Sequence, residues 1–517
     1  MKRVLGILSA LPLLVACNAL TGADELVVGD ESSGPGGPSS TGPSASTGPG
    51  GTGGAGGGEP LPPATADATG VSIREVAFYQ AVKSTVVNDG NPMSPSVTLV
   101  AGRPAIVRVF VDVNGPSGAP VTARLFLNDA PPLETTMVPA GNSLDSNGQT
   151  TFNFELPGTS MVQGMRYRVE LRESSATSAG PNPGATVPAP DATQPLVVRA
   201  GYPLKITIIP IRYDNDGSQR MPVLGQAQID ALHDYFFSMY PTRDVQLEVG
   251  NTLAWSGFIG ANGSGWDSLL NTISSNRTNS ASADFDEFYY GMFRPTESLS
   301  QFCGGGCVAG LGYIGDPGGE YSRAAIGLGY SGDIATETAA HEVGHNHGRP
   351  HSPCGGASGA DGNYPHSGGG IGVWGLDILT GSLKSPSSYK DIMGYCAPNW
   401  ISDYVYERFY AFSAAINNAS FVFPEGPTPS YERLAIGPAG QGEWLPELQP
   451  TRPLMGNTQP VTVELDDGTT KTVDAIFHAY DHLDGGVYLL PKQGPRIRKI
   501  TAELAIGGVL RRIATTR

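Results

Sequence analysis

The stretch His341-Glu342-Val343-Gly344-His345-Asn346-His347-Gly348-Arg349-Pro350-His351 holds imidazoles and a carboxylate at spacings that suit one metal ion. Residues four apart lie on nearly the same face of a helix, so His341 and His345 can bind one ion through ring nitrogens. Glu342 sits one step round, close enough to reach a water on that ion without being needed as a ligand. Gly348 can turn the chain sharply and bring His351 back to the same ion. Three neutral nitrogens leave Zn²⁺ with its charge and an open position for water, which is what a hydrolytic centre needs. His347 points roughly opposite His345 on the helix and is expected to stay outside the ligand set. His366, in a glycine-rich stretch, is expected as an exposed loop residue. Asp361 and its glycine neighbours raise Ca²⁺ as a second ion, but no full calcium loop supports it.

The complete pattern resembles the zinc motif of the metzincins, a family of zinc metallopeptidases. Their second hallmark is a methionine turn beneath the metal. Asp391-Ile392-Met393-Gly394-Tyr395-Cys396 looks like that turn, with Met393 downstream of His351 as the family requires. Astacin-like and serralysin-like members carry a tyrosine two residues after the methionine, and Tyr395 matches it. Their usual serine two residues before the methionine is Asp391 here, a departure from those subfamilies.

The resemblance covers roughly residues 201–421. It implies zinc held by His341, His345 and His351, with Glu342 as general base and Tyr395 as an extra ligand or oxyanion partner. It also implies an edge strand before the active helix that pairs with extended substrate, a role for which residues 324–330 are well placed. The function expected is hydrolysis of peptide bonds in extracellular proteins or glycoproteins. A non-catalytic surface adhesin or glycan-binding lipoprotein on the same scaffold is the alternative from another class, and the intact glutamate counts against it. Zinc hydrolysis of a non-peptide amide or ester is a closer one.

The elements around this motif suggest several domains, as a length of 517 residues requires. Lys2 and Arg3 precede an apolar run over 4–15, too short to span a bilayer, that reads as a signal peptide. It ends Leu14-Val15-Ala16-Cys17, which resembles the bacterial lipobox, so Cys17 is the expected lipidation site. With Asn18 next, an outer-membrane or cell-surface address is favoured. Residues 18–70 are mostly Gly, Ser, Pro and Thr and read as a disordered tether.

Short strand-like runs over 71–200 (97–100, 105–113, 122–127, 151–156, 167–171) predict an immunoglobulin-like β-sandwich, ending in a linker over 174–195. Residues 201–422 turn to mixed α/β and form the predicted metzincin-like catalytic domain. Its expected strands are 204–211, 245–249, 288–292 and 324–328, with helices over 226–239, 266–274 and 334–347. Asp333 is the expected cap of the last helix. Residues 423–517 return to strands (461–465, 472–479, 487–490, 499–504) and predict a small C-terminal β-domain. The fold class is therefore multidomain α+β.

An oxidising compartment suggests two disulfides among Cys303, Cys307, Cys354 and Cys396, and sequence alone leaves three pairings open. The favoured set is Cys303–Cys307, closed over three glycines, with Cys354–Cys396. In the family geometry the loops after His351 and Met393 converge below the metal, which motivates the second bond. A net charge of −16, from 32 basic and 48 acidic residues, argues against nucleic acid as a partner.

Overall fold

In a computed structural model, described over residues 64–115, 119–174, 181–189, 192–418, 427–492, 494–506 and 509–517, the chain is mostly β with few helices. The signal segment, Cys17 and the tether up to residue 63 lie outside the described residues. Among the described residues no helix is long and apolar enough to cross a membrane.

Two antiparallel sheets face each other at the N-terminal end. One runs Ala81–Asn88, Val71–Tyr79, Ala105–Val113, Phe152–Leu156 in order, and the other Ala66–Asp67, Arg166–Glu173, Val121–Leu127, Leu133–Met137. Strict alternation builds the shared core. In Val121–Leu127, the residues Val121, Ala123, Leu125 and Leu127 point inward against Val107, Val109 and Phe154. This is a sandwich, but not in the expected immunoglobulin order. Its first long strand pairs with the second and third, whereas an immunoglobulin sheet runs A-B-E-D. The stretch read as a linker is also partly strand, since Thr186–Val187 and Gln194–Pro195 pair with Arg166–Glu173.

The second layer begins with β1 (Pro203–Tyr213) and β2 (Asp244–Val249). It continues with β3 (Glu287–Phe293), β4 (Gly310–Gly312) and β5 (Ala324–Leu328). Their order is β2-β1-β3-β5-β4, parallel except for antiparallel β4. Helices α1 (Gln226–Met239), α2 (Trp266–Thr278), α3 (Asp333–Asn346) and α4 (Asp403–Asn418) pack around it. This order corrects the expected edge: residues 324–328 are interior, and the three-residue β4 is the outer strand. A strand of Gly-Leu-Gly has no alternation to reveal it in sequence. The expected cap is corrected too. Gly332, at φ +93°, precedes α3, and Asp333 lies in its first turn, where its charge still complements the helix dipole. The turn into the helix needs a positive φ that glycine adopts without strain.

The layers interlock. Gly375–Leu376, from the long segment after His351, adds a strand to the sandwich beside Ala81–Asn88. Arg103 is fully buried and donates to the carbonyls of Ser238 (3.1 Å) and Thr242 (3.0 Å) at the end of α1. A buried guanidinium is tolerated there because carbonyls replace its water.

At the C-terminal end, seven antiparallel strands include neighbouring β6 (Thr470–Ala479) and β7 (Gly486–Pro491). Alternation in β7 splits its side chains. Tyr488 and Leu490 join the sheet's own core, while Val487 and Leu489 pack into a core shared with Trp266, Leu269 and Tyr313. That shared core presses the β6–β7 turn toward α3.

Candidate metal centre and active site

Helix α3 carries His341, Glu342 and His345 on its buried surface, and Gly348 at φ +76° reverses the chain so that His351 returns to them. Each imidazole is held from behind by a backbone carbonyl. His341 Nδ1 donates to Ile392 O (2.8 Å), His345 Nδ1 to Arg349 O, and His351 Nδ1 to Ser358 O (2.7 Å). With each proton fixed on Nδ1, the three Nε2 atoms carry bare lone pairs, and those of His341 and His345 stand 3.0 Å apart. Lone pairs facing at that distance repel unless a cation lies between them, so the donor set fits a tetrahedral N-ligated ion such as zinc. Burial, followed by repulsion from neighbouring imidazoles, holds His341 well below its ordinary range and His351 at about 2. Burial also lowers His345 to about 4, against the opposing pull of Asp481. All three are therefore neutral ligands-in-waiting.

Glu342 is 1% exposed and lies over the edge strand. A Cβ on Gly310 would meet its Oε1 at 2.3 Å, so only glycine leaves room for this carboxylate. On the other side, Tyr395 O–H stands 2.9 Å from His351 Nε2, within reach of anything bound to that nitrogen.

Met393 packs beneath the helix at Gly344, where an added Cβ would sit 2.4 Å from its Sδ. Asp391 accepts from Met393 N and Ser402 N at 2.8 Å each. It ties the methionine turn to the start of α4. Burial raises it to about 6, against those hydrogen bonds. Cys354–Cys396 links the two loops below the histidines, and Cys303–Cys307 closes the glycine loop before β4.

Three residues weighed in the sequence stand apart from the centre. His347 stacks on Phe288 (4.6 Å between centroids) and donates from Nδ1 to Val343 O, so it is a core residue. His366 hydrogen-bonds Asp403 at 2.6 Å. Asp361 pairs with Arg349 and Tyr404 O–H, and accepts Asn363 N at 2.9 Å. These partners satisfy its carboxylate without an ion.

Two residues that the sequence does not single out also stand at this site. Asp481 and His482, at the β6–β7 turn, enter the site from the C-terminal sheet. Asp481 Oδ2 lies 3.3 Å from His345 Nε2, and His482 Nδ1 pairs with Asp481 and lies 3.8 Å from Glu342 Oε1. Burial pushes the Asp481 carboxyl up, but His482 and His345 outweigh it and hold the group well below the carboxylate range. The ligand atoms of His341, His345, His351 and His482 all fall within 4.8 Å of one another. The sequence offered one signal, a histidine beside acidic residues at a Gly-Gly turn between strands, but nothing that tied it to α3.

Residues 313–406, from the end of β4 to the start of α4, match the family Peptidase M66. Among solved structures, metalloproteinase-II from Bacteroides fragilis is 14% identical, aligned over 60% of this chain and 78% of its own at a TM-score of 0.24. A Bacteroides fragilis chain described as a beta-galactosidase is 10% identical, over 86% and 73%, at a TM-score of 0.14. Neither alignment is close enough to argue from. No match is found among curated proteins. The family match falls on the converged histidines and supports a metal-dependent peptidase.

Proposed function

We propose that the chain is a zinc-dependent endopeptidase of the metzincin type, acting on extracellular polypeptide or glycoprotein. In this reading it is displayed at the bacterial cell envelope through a lipid on Cys17 and the tether behind it. The observation that carries the proposal is the convergence of three carbonyl-anchored imidazoles beside a buried glutamate. When bound there by His341, His345 and His351, zinc supplies an electrophile that acidifies water and polarises the scissile carbonyl. Glu342 accepts the proton of the attacking water and delivers it to the leaving nitrogen. Tyr395 donates its hydroxyl proton in a hydrogen bond to the oxygen on which negative charge develops. The low-dielectric pocket strengthens both interactions. A surface adhesin on this scaffold would have no use for Glu342, whose carboxylate is retained at the cost of burial.

The test is metal content and peptide hydrolysis of the wild-type chain and of Glu342→Gln, with and without chelator. The expected result is one zinc per chain in both proteins. Chelator-sensitive cleavage of casein or a quenched peptide should fall roughly 10²–10⁴-fold in the variant. Full turnover by Glu342→Gln would sink the assignment of the base, and cleavage indifferent to chelator would sink the metallopeptidase reading.

A further inference from the structure

A peptidase centre must admit an extended chain and a water, yet this one is shut. His341, His345, His351 and Glu342 are only 0–3% exposed. The cover is the β6–β7 turn, and it closes the site in two ways at once.

The first is along the edge strand. Gly312 N donates to Asp481 Oδ1 (2.9 Å), Asp481 N to Gly312 O (3.2 Å), and Ile314 N to Ala479 O (3.1 Å). Tyr313 and Tyr480 form an antiparallel bridge between these bonds. The segment 479–481 therefore takes the outer hydrogen-bonding edge at the end of β4, from Gly312 to Ile314, part of the backbone surface that β-augmentation by a peptide requires.

The second is at the ligands. The turn is sharp, with Gly485 and Gly486 at φ +107° and +153°, and it projects Asp481 and His482 past the strand ends into the histidine cluster. The Asp481 side chain is fully buried there, against His345 Nε2 and the Glu342 carboxylate. His482 stacks on Tyr395 at 5.6 Å between ring centroids and stands 4.8 Å from the ring of His351. One of its nitrogens completes the four-imidazole set within 4.8 Å. Its Nδ1 is oriented by a carboxylate, Asp481, one of the usual companions of a metal-ligating histidine.

Resting on the zinc-peptidase reading, we propose that His482 is a fourth protein ligand, oriented by Asp481, and that the β6–β7 turn keeps the enzyme latent by filling both the open metal position and the substrate edge. Four protein ligands make a structural site; three and an open position make a catalytic one. Withdrawal of one hairpin tip converts the first into the second. The chain then needs no separate inhibitory segment, because its C-terminal sheet supplies one that is also packed into the shared core with Trp266 and Tyr313.

The test compares the full wild-type chain with His482→Ala and His482→Gln, each checked for folding by circular dichroism. Cobalt replaces zinc as a spectroscopic probe, and acetohydroxamic acid tests for an open coordination position. The expected wild-type cobalt spectrum is insensitive to acetohydroxamic acid, while both variants shift on its addition. Zinc affinity, measured by chelator competition, should fall at least about tenfold in the variants. Hydrolysis of a quenched peptide should rise at least tenfold in the variants. Equal response of all three cobalt proteins to the hydroxamate would overturn the proposal, and so would variants that lose activity, which would make His482 a catalytic group. A wild-type chain that binds no zinc or cobalt would instead overturn the metallopeptidase reading beneath it.

Discussion

A methyl group at residue 310 should separate the position of Glu342 from every other property of the site. An added Cβ would meet Glu342 Oε1 at 2.3 Å, Cγ at 2.5 Å and Cδ at 2.6 Å, so the whole carboxyl end must retreat. Ordinary contact begins near 3.5 Å, so the retreat is about 1 Å. Glu342 is 1% exposed and has no solvent to move into. Misplacing a catalytic group by about 1 Å costs roughly 10²-fold in rate, or about 2.7 kcal/mol of transition-state stabilisation. The three histidines are anchored by Ile392, Arg349 and Ser358, which the methyl does not touch, so zinc affinity should hold.

Two neighbouring glycines calibrate the effect. A Cβ on Gly312 would sit 3.3 Å from Glu342 Oε2 and Asn346 Nδ2, and one on Gly305 would meet nothing within 4 Å. The expected order of kcat/KM loss is Gly305→Ala about none, Gly312→Ala a few-fold at most, Gly310→Ala about 10²-fold. The assay is hydrolysis of a quenched peptide, run in the wild-type and His482→Ala backgrounds, with zinc content measured for each protein. Gly310→Ala within threefold of its parent, at full zinc occupancy, would refute the placement of Glu342 as base against this strand.

Three other outcomes follow from the same geometry. Tyr395→Phe should lower kcat about 10–10²-fold with little change in KM or zinc content, because its hydroxyl acts on charge that develops during the reaction; an unchanged kcat would make it a packing residue. Burial, then Asp333, raises Glu337 to about 7, so the folded chain holds a proton that the unfolded chain releases above about 4.5. Its contribution to stability is complete below that value and is lost as pH rises through about 7. Glu337→Gln should therefore be more stable than wild type at pH 8, by at most about 3 kcal/mol, with the gap closing toward pH 4; a gap independent of pH in thermal unfolding would contradict this. Removing Cys354–Cys396, which closes 42 residues, should cost about 4 kcal/mol, against about 2 kcal/mol for Cys303–Cys307, which closes 4. Calorimetry of the two double-alanine variants checks that order, and equal losses would mean that loop length is not the controlling quantity.

What the sequence made legible was local. The helix over 333–346 and its reversal at Gly348 follow from i, i+4 spacing and a glycine that can adopt positive φ, and the buried strands announce themselves as Val/Ile runs. The edge strand did not, because Gly310-Leu311-Gly312 is too short to show a period and lies just after the Cys303–Cys307 loop. Buried arginines were equally hidden. Arg103 and Arg277 look like surface charge until the carbonyls that satisfy them are seen.

Asp481 and His482 were illegible for a deeper reason. Their position is set by a core that Val487 and Leu489 share with α2, and no pattern along one strand states which distant helix will cover its outer face. The three histidines declare a metal because their geometry is written within eleven residues. The closing of that metal depends instead on how two sheets meet, so the variant that opens the site must be sought in the C-terminal turn and not in the histidine motif itself.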